Sequence, residues 1–595
     1  MKMTPQERLL TAVNCKEPDC VPVNLHYKPV YFTKWYRTVG KKVGKDLGSQ
    51  LEAQLEFFQQ WPEVVPLLTS PSNQGAIGLL HWLGKRISSE TPPPSQHWSL
   101  ETLKEKLKSA EVPDPARDAW MPGALEDWQQ HVDHLPSETR TQYGGLLWTL
   151  QVPGPLSALG TLLSYPDTFR LLYDDPDLVH ELFELHTMSL IPWVQAVDSV
   201  FSNSGLTPQR LFMYEEMLPM VSPDHAKEFC LPYARRIFGA SKSPMKILHC
   251  DNRVGHMPEV VTGFGANVFF GNFSNYAELK GAFGGKMALM GNVPSLYVLT
   301  EGGPKDVEEC CKWLISQCGS GGGFILSSGG GFDPTGQTPF ENTDAMVKTA
   351  EKYGRYPVDT SAKPAPDRYS SIMSMHFSSE RGEIQSPGEI DLDRVMEQTC
   401  QGNVSELPHA TKQAMEKGIA PESIFLDGLC QGLRLATNLF YQEEYFHPEV
   451  DRADQAFHAG LAALGSSFSP HYYKGTVVIG TIKGSYQGSG ISLIEVMLRG
   501  GGLNVISLGV GVGPERFIDE AVKAGAQVIA MGVYFIKHAK LAEEVTSRLK
   551  ERGLDIKTLA GGMGITPNMA ETLKVDAHAS DGRQARDKAL AMIGD

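Results

Sequence analysis

Cysteine is scarce in this chain and follows no pattern. Nine thiols lie scattered over 595 residues, an odd number without framework spacing. That excludes the disulfide scaffold of a small secreted domain and suits a reducing cytoplasm. Long apolar runs are missing too: none approaches the roughly 20 residues of a membrane span. The opening MKMTPQERLL lacks the apolar stretch of a secretory signal. Positive charge is in deficit, with a formal net charge of −15, whereas nucleic-acid binding rests on Lys and Arg against phosphate. These absences lead to the expectation of a cytoplasmic protein that binds neither nucleic acid nor a membrane.

What is present is organised in blocks. At roughly 100–200 residues per domain, two to four domains are expected. Residues 356–387 are rich in Pro, Ser and Asp without a sustained period and read as a linker. Before it, residues 1–355 alternate apolar runs with helical patterns. The segments 21–27, 210–217, 245–252, 266–273, 286–293 and 323–331 read as buried strands, and 225–241 and 304–318 as helices between them. Buried strands alternating with helices make a parallel sheet. Six or more units over this length favour a closed barrel with its site at the C-terminal strand ends; an open doubly wound sheet competes. Residues 388–472 read as a small helical bundle. Residues 473–595 return to strand–helix alternation, a doubly wound Rossmann-like domain. The expected fold class is α/β: a TIM barrel, a helical cap and a Rossmann-like domain.

The most specific signal lies in the last 200 residues. A strand, a polar loop and a helix run through GTVVIGTIKGSYQGSGISLIEVML. Gly490 is followed, after 41 intervening residues, by Gly532, and later by Gly561 and Gly562. With the helical bundle directly in front, residues 388–595 resemble the cobalamin-binding module of methionine synthase and of corrinoid proteins. In that family the loop reads Asp-x-His-x-x-Gly, and its His is the lower cobalt ligand. Here the loop is Ser485-Tyr486-Gln487-Gly488-Ser489-Gly490: Ser485 stands for the Asp and Gln487 for the His. The resemblance makes Ser485, Tyr486, Gln487, Gly490, Gly532, Tyr534, Gly561 and Gly562 cofactor-binding residues. It also places Phe440 and His447, in LFYQEEYFHPEV, near the reactive face of the cobalt. A carboxamide is a poor ligand for cobalt, so a lower-valent cofactor is easier to reach.

The first half resembles the uroporphyrinogen decarboxylase superfamily, in its methyltransferase branch. MTPQERLLTAVNCKEPDCVPV, EEMLPMVSPDHAKEFCLPYARRI, KILHCDN, MALMGNV and GGGFILSSGGGFDP carry the likeness, which implies a TIM barrel. That branch holds zinc with a His-x-Cys on one strand and a Cys on a later one. Aligned on Cys250, this chain has Leu248 at the His position, His249 displaced by one, and Gly330 at the later Cys. Cys250 and His249 are the residues left for zinc, with His26, Glu215 or Glu216 as substitutes, and no tight three-ligand zinc is expected. Candidate pocket residues are Tyr27, Glu215, Glu216, Cys250, Asn252 and Asn292.

Together the two resemblances imply a corrinoid-dependent methyltransferase, with cobalamin as cofactor. A methyl halide needs no acid to expel its leaving group, and the domain order resembles the chloromethane:corrinoid methyltransferase family. The expected reaction moves a methyl group from chloromethane or another small methyl donor to cobalt(I) corrinoid, releasing halide. The expected partners are a separate methyl-cobalamin:tetrahydrofolate methyltransferase and a corrinoid-reducing activase. An O-demethylase for methyl ethers and a non-catalytic corrinoid-binding sensor or scaffold are the alternatives.

Overall fold

A computed structural model gives the architecture. It describes the chain apart from residues 1, 27–28, 45, 72–97, 109, 119–120, 330–336, 363–364, 368, 371–387, 486–487 and 595. Two compact units share these residues. The first takes the described parts of 1–91, 98–163 and 175–373; the second takes those of 164–174 and 374–595.

The first unit is built on seven parallel strands: β1 (Val23–Asn24), β2 (Thr149–Pro153), β3 (Arg210–Tyr214), β4 (Lys246–Cys250), β5 (Val268–Gly271), β6 (Ala288–Val293) and β7 (Phe324–Ser328). Their order is β1-β7-β6-β5-β4-β3-β2, so each of β2 to β7 lies beside its sequence neighbour. This is the curled sheet of a TIM barrel, with β1 and β2 as its edges among the described residues. Beside β2 the Leu68 N–H donates to Leu147 O at 2.7 Å. Every residue of β4, β5, β6 and β7 except Lys246 is buried, which is why these strands read as unbroken apolar runs. β2 was not expected. Its sequence TLQVP carries Gln151 and ends in proline, a poor strand signature.

Helices start where the sequence supplies a cap. Pro304–Cys318 matches the expected 304–318, with proline in its first turn and Asp306 accepting the Gly303 N–H at 2.8 Å. The stretch expected as a linker begins on this unit: Tyr369 is buried, packs at a tilt on Trp313 and donates to Asn292 Oδ1 at 3.1 Å.

The second unit has a helical part and a sheet. The helices Ile390–Cys400, Leu407–Glu416, Gln431–Tyr441 and His447–Leu464 pack around a core of Leu407, Phe425, Leu429, Leu433 and Phe457. The sheet comprises β8 (Thr476–Thr481), β9 (Asn504–Ser507), β10 (Val528–Gly532), β11 (Lys557–Gly561) and β12 (Ala577–Ala579). Its order β12-β11-β10-β8-β9 is that of a doubly wound fold, whose ligands bind beyond the carboxyl ends of the strands. The helix Tyr165–Asp174, although early in the chain, belongs to this unit.

Candidate functional site

Alternation along the strands decides which side chains meet. Phe212 on β3 and Glu216 just beyond it share one parity, as do His249 on β4 and Asp251. Glu216, His249 and Asp251 bring their ligand atoms within 4.8 Å of one another. His249 Nε2 lies 3.2 Å from Glu216 Oε1 and 3.6 Å from Asp251 Oδ1. Its Nδ1 sits 2.8 Å from Phe270 O, so that nitrogen carries a proton and donates. The Asp251 N–H in turn donates to Glu216 Oε2 at 3.0 Å. The His249 ring packs on Phe212 and Phe270, at centroid distances of 5.0 and 5.1 Å, and His26 closes on Phe270 at 5.5 Å. The cluster is therefore ionisable at its centre and aromatic at its wall.

Charge sets the protonation. Burial pushes the His249 imidazolium down, but the Glu216 and Asp251 carboxylates outweigh it and raise the pKa to about 9. Burial pushes Glu216 up, and His249 holds it below the ordinary carboxylate range. Without a cation the cluster is thus an imidazolium between two carboxylates. One nitrogen and two oxygens, with the imidazole oriented by a backbone carbonyl, also suit a divalent cation. Such an ion would take the place of the His249 Nε2 proton and act as a Lewis acid on a bound leaving group.

The sequence candidates fare unevenly. Glu216 stands in the cluster. Glu215, its neighbour, points the other way: its carboxylate accepts from the Leu156 and Ser157 N–H groups and from Ser157 Oγ, at 3.1, 2.8 and 2.8 Å. It caps the helix Pro155–Leu162. A side chain on Gly154 would meet Glu215 Oε2 at 2.1 Å, so that glycine is required. Burial raises Glu215 to about 7 against those hydrogen bonds. Asn292 is fully enclosed, its amide donating to Asn272 O and Ser274 O. Asn252 contributes its carbonyl to Ser274 Oγ at 3.4 Å. Tyr27 and Gly330 lie outside the described residues.

Cys250, read above as a residue left for zinc, lies between His249 and Asp251 in the chain and has the opposite strand parity. It is absent from the grouped donors, and burial holds its thiol well above the ordinary range. Asp251, which shares the parity of His249, is among those donors and was not a sequence candidate. Aligning on His249 rather than Cys250 would have found the His-x-Asp pair.

The second unit offers a different edge. The last residues of β8, β10, β11 and β12 are Thr481, Gly532, Gly561 and Ala579, without an ionisable group. Gly532 pairs in register with Thr481 and Gly561. Ser485 is buried and its Oγ accepts the Tyr534 N–H at 3.1 Å, tying the loop after β8 to the one after β10. A side chain on Gly561 would meet Ala579 O at 2.5 Å, and one on Gly562, at φ +105°, Val533 O at 2.6 Å; one on Gly490 meets nothing. Tyr486 and Gln487 lie outside the described residues. Phe440 and His447 come together edge to face at 5.1 Å, and Phe169 lies 5.9 Å from the imidazole. His447 Nδ1 is buried without a hydrogen-bond partner.

Comparison with known proteins agrees with this division. Residues 105–353 match the uroporphyrinogen decarboxylase (URO-D) family, and residues 391–464 and 475–590 match B12 binding domains. Trimethylamine corrinoid protein 2 of Methanosarcina acetivorans is 27% identical over 190 residues, 31% of this chain and 88% of that protein. Dimethylamine corrinoid protein 1 of the same organism is 29% identical over 195 residues, 31% of this chain and 90% of its own. A solved methyltransferase from Methanosarcina mazei, 19% identical, superposes with a TM-score of 0.46 over 59% of this chain and 99% of that one. The chain joins a uroporphyrinogen decarboxylase-like domain to a B12-binding module in one polypeptide.

Proposed function

We propose that the barrel binds a small methyl donor, a methyl halide foremost, and presents its methyl carbon to the corrinoid of the second unit. The observation that carries this reading is the Glu216–His249–Asp251 cluster behind an aromatic wall at the C-terminal strand ends. When bound, a reduced corrinoid supplies the nucleophile. Phe212 and Phe270 offer an apolar surface to the methyl group. The cluster is assigned to the leaving group, with the His249 ring, packed on both aromatic rings, as its proton-bearing member. Ser485, Tyr486, Gln487, Gly490, Gly532, Tyr534, Gly561 and Gly562 are assigned to the corrinoid, with Phe440 and His447 toward its reactive face. A separate tetrahydrofolate methyltransferase takes the methyl group onward, and a reducing activase restores the corrinoid.

A second reading has the donor methyl on oxygen or nitrogen. The same cluster favours it, because an alkoxide or amine leaves only with a proton or a Lewis acid, and His249 or a cation at the cluster provides one. One experiment separates the two. Reduced, corrinoid-loaded protein is offered chloromethane, methanol, methylamine and a methoxyarene, with and without a strong chelator, while the corrinoid spectrum and halide release are followed. Chloromethane turnover that survives chelation is expected. Turnover confined to the oxygen or nitrogen donors and abolished by chelation establishes the second reading, and no turnover of any donor refutes both.

A further inference from the structure

Two arginines are deeply buried among the described residues, and they are partnered differently. Arg8, 5% exposed, is held by Asp19 and Glu63 at 2.7 and 2.8 Å. Arg499, only partly buried, likewise lies between two carboxylates, Asp454 and Glu495. Arg210, at the start of β3, is 1% exposed and has only neutral partners. Its Nε donates to Leu146 O at 2.8 Å and its Nη1 to Asn24 Oδ1 at 2.6 Å. Asn24 is tied in turn to Ser327, whose Oγ donates to Asn24 O at 2.8 Å. Nη2 has no hydrogen-bond partner, and among the described residues no carboxylate lies within ion-pair distance of the guanidinium. Arg210 shares the parity of Phe212, the residue that packs on His249, and reaches across to Asn24 on β1. Its head group is therefore inside the curl of the sheet.

An unpaired buried charge is costly. The penalty persists even after relaxation, and buried charges are accordingly paired or bound to an ion. The guanidinium is a planar fork of donors suited to anions. Here two of its three nitrogens are engaged by neutral oxygens, which leave the charge uncompensated and the third nitrogen open. The site holds one cationic group and closed surroundings, which favours one negative charge on a small body.

We propose that Arg210, through Nη2, holds a small monovalent anion of halide size inside the barrel. The site does not depend on the donor assigned above. The Asn24 and Leu146 carbonyls fix the plane of the fork, and the anion completes both its charge balance and its hydrogen bonding. Binding to the folded state alone raises stability with anion concentration in a saturable way.

The test uses the full chain. Crystals grown with sodium bromide are measured at the bromine edge, and thermal unfolding is followed against chloride and bromide at constant ionic strength set with a bulky anion. The expected result is an anomalous peak in contact with Arg210 Nη2 and a saturable rise of the melting temperature. In Arg210→Gln both vanish. Asn24→Asp places a fixed carboxylate on the same fork; it is expected to melt higher at low halide, to lose the halide dependence and to show no peak. This variant decides the matter should Arg210→Gln fail to fold. A water at Nη2 in the bromide crystals, bromide on the surface only (an adventitious ion only), or a halide dependence unchanged in Asn24→Asp overturns the proposal.

Discussion

The two parallel sheets end in opposite chemistries. At the carboxyl edge of the barrel, ionisable side chains converge: Glu215, Glu216, His249 and Asp251 follow directly on β3 and β4 or lie within them. At the corresponding edge of the second sheet, Thr481, Gly532, Gly561 and Ala579 terminate the strands; the Thr481 hydroxyl is engaged by Ser485 O and the Gly511 N–H, and Ser485 Oγ by the Tyr534 N–H. Under the proposed function, one edge supplies charge to a small reactant. The other supplies backbone and space, as suits a large cofactor that brings its own reactivity. A reaction that joins them should therefore divide cleanly, with donor activation lost by changes in the first unit and cofactor retention by changes in the second.

The largest expected effect tests that division. Glu216→Gln and His249→Ala remove a charge from the cluster and should lower methyl transfer about 100-fold or more, the scale of positioned acid or metal assistance. Corrinoid content, read from the absorbance of the purified protein, should stay that of the unaltered chain. Loss of the corrinoid in either variant breaks the comparison. If the donor is a halide that needs no assistance, the loss should be greater for methanol or a methoxyarene than for chloromethane.

The converse change is Gly562→Val. The residue has φ +105° and its added carbon would lie 2.6 Å from Val533 O. Strain at positive φ and a backbone clash together cost roughly 2–5 kcal/mol. The second unit should unfold earlier and release its corrinoid, seen by calorimetry and by gel filtration at the corrinoid absorbance. The barrel transition should not move. A variant that keeps its corrinoid and melts normally would remove the reason for this glycine.

Neighbouring glutamates sharpen the contrast within one loop. Glu215 accepts three hydrogen bonds at the start of the helix Pro155–Leu162, whereas Glu216 faces His249. Glu215→Gln turns an amide N–H toward those donors and should cost about 1–3 kcal/mol of stability. Measured by denaturant unfolding, that loss should exceed the one in Glu216→Gln, and the order should reverse for activity. Equal effects would mean that the pair acts as one unit.

How far the sequence discloses this arrangement depends on how local each feature is. Apolar runs such as VFFG and FILSS are buried on both faces, so the strands they form were readable. β2 and β12 were not, because TLQVP ends in proline and AHA is three residues long. At the site, Glu216 and Cys250 were among the candidates and Asp251 was not. Parity would have separated them, since His249 and Asp251 are two apart and Cys250 lies between. The partnership of Glu216 with His249 joins two strands and has no local signature. Neither has Arg210, an ordinary basic residue in the sequence whose anomaly appears only once its surroundings prove neutral.

The smallest expected effect concerns His447 and the pH dependence of the second unit. Its imidazole packs against Phe440 and Phe169, and burial lowers its pKa from 6.5 to about 4. The unfolded chain takes up a proton near pH 6.5, whereas the folded ring resists it until about pH 4. Protonation of the unfolded form therefore pulls the equilibrium away from the fold as the pH falls. Stability is full above about pH 6.5 and declines between there and pH 4. The side chain retains some solvent contact, so roughly 1–2 kcal/mol is a fair scale, less than a shift of that size gives for a fully enclosed ring. His447→Phe cannot take up the proton and should flatten that slope in urea unfolding of the second unit, leaving its stability at pH 8 nearly unchanged. The first-unit transition serves as the internal control, because its own enclosed histidine, His186, also lowered to about 4, is untouched. A slope in the second unit that persists in His447→Phe would assign it to other groups and leave His447 a packing residue against two aromatic rings.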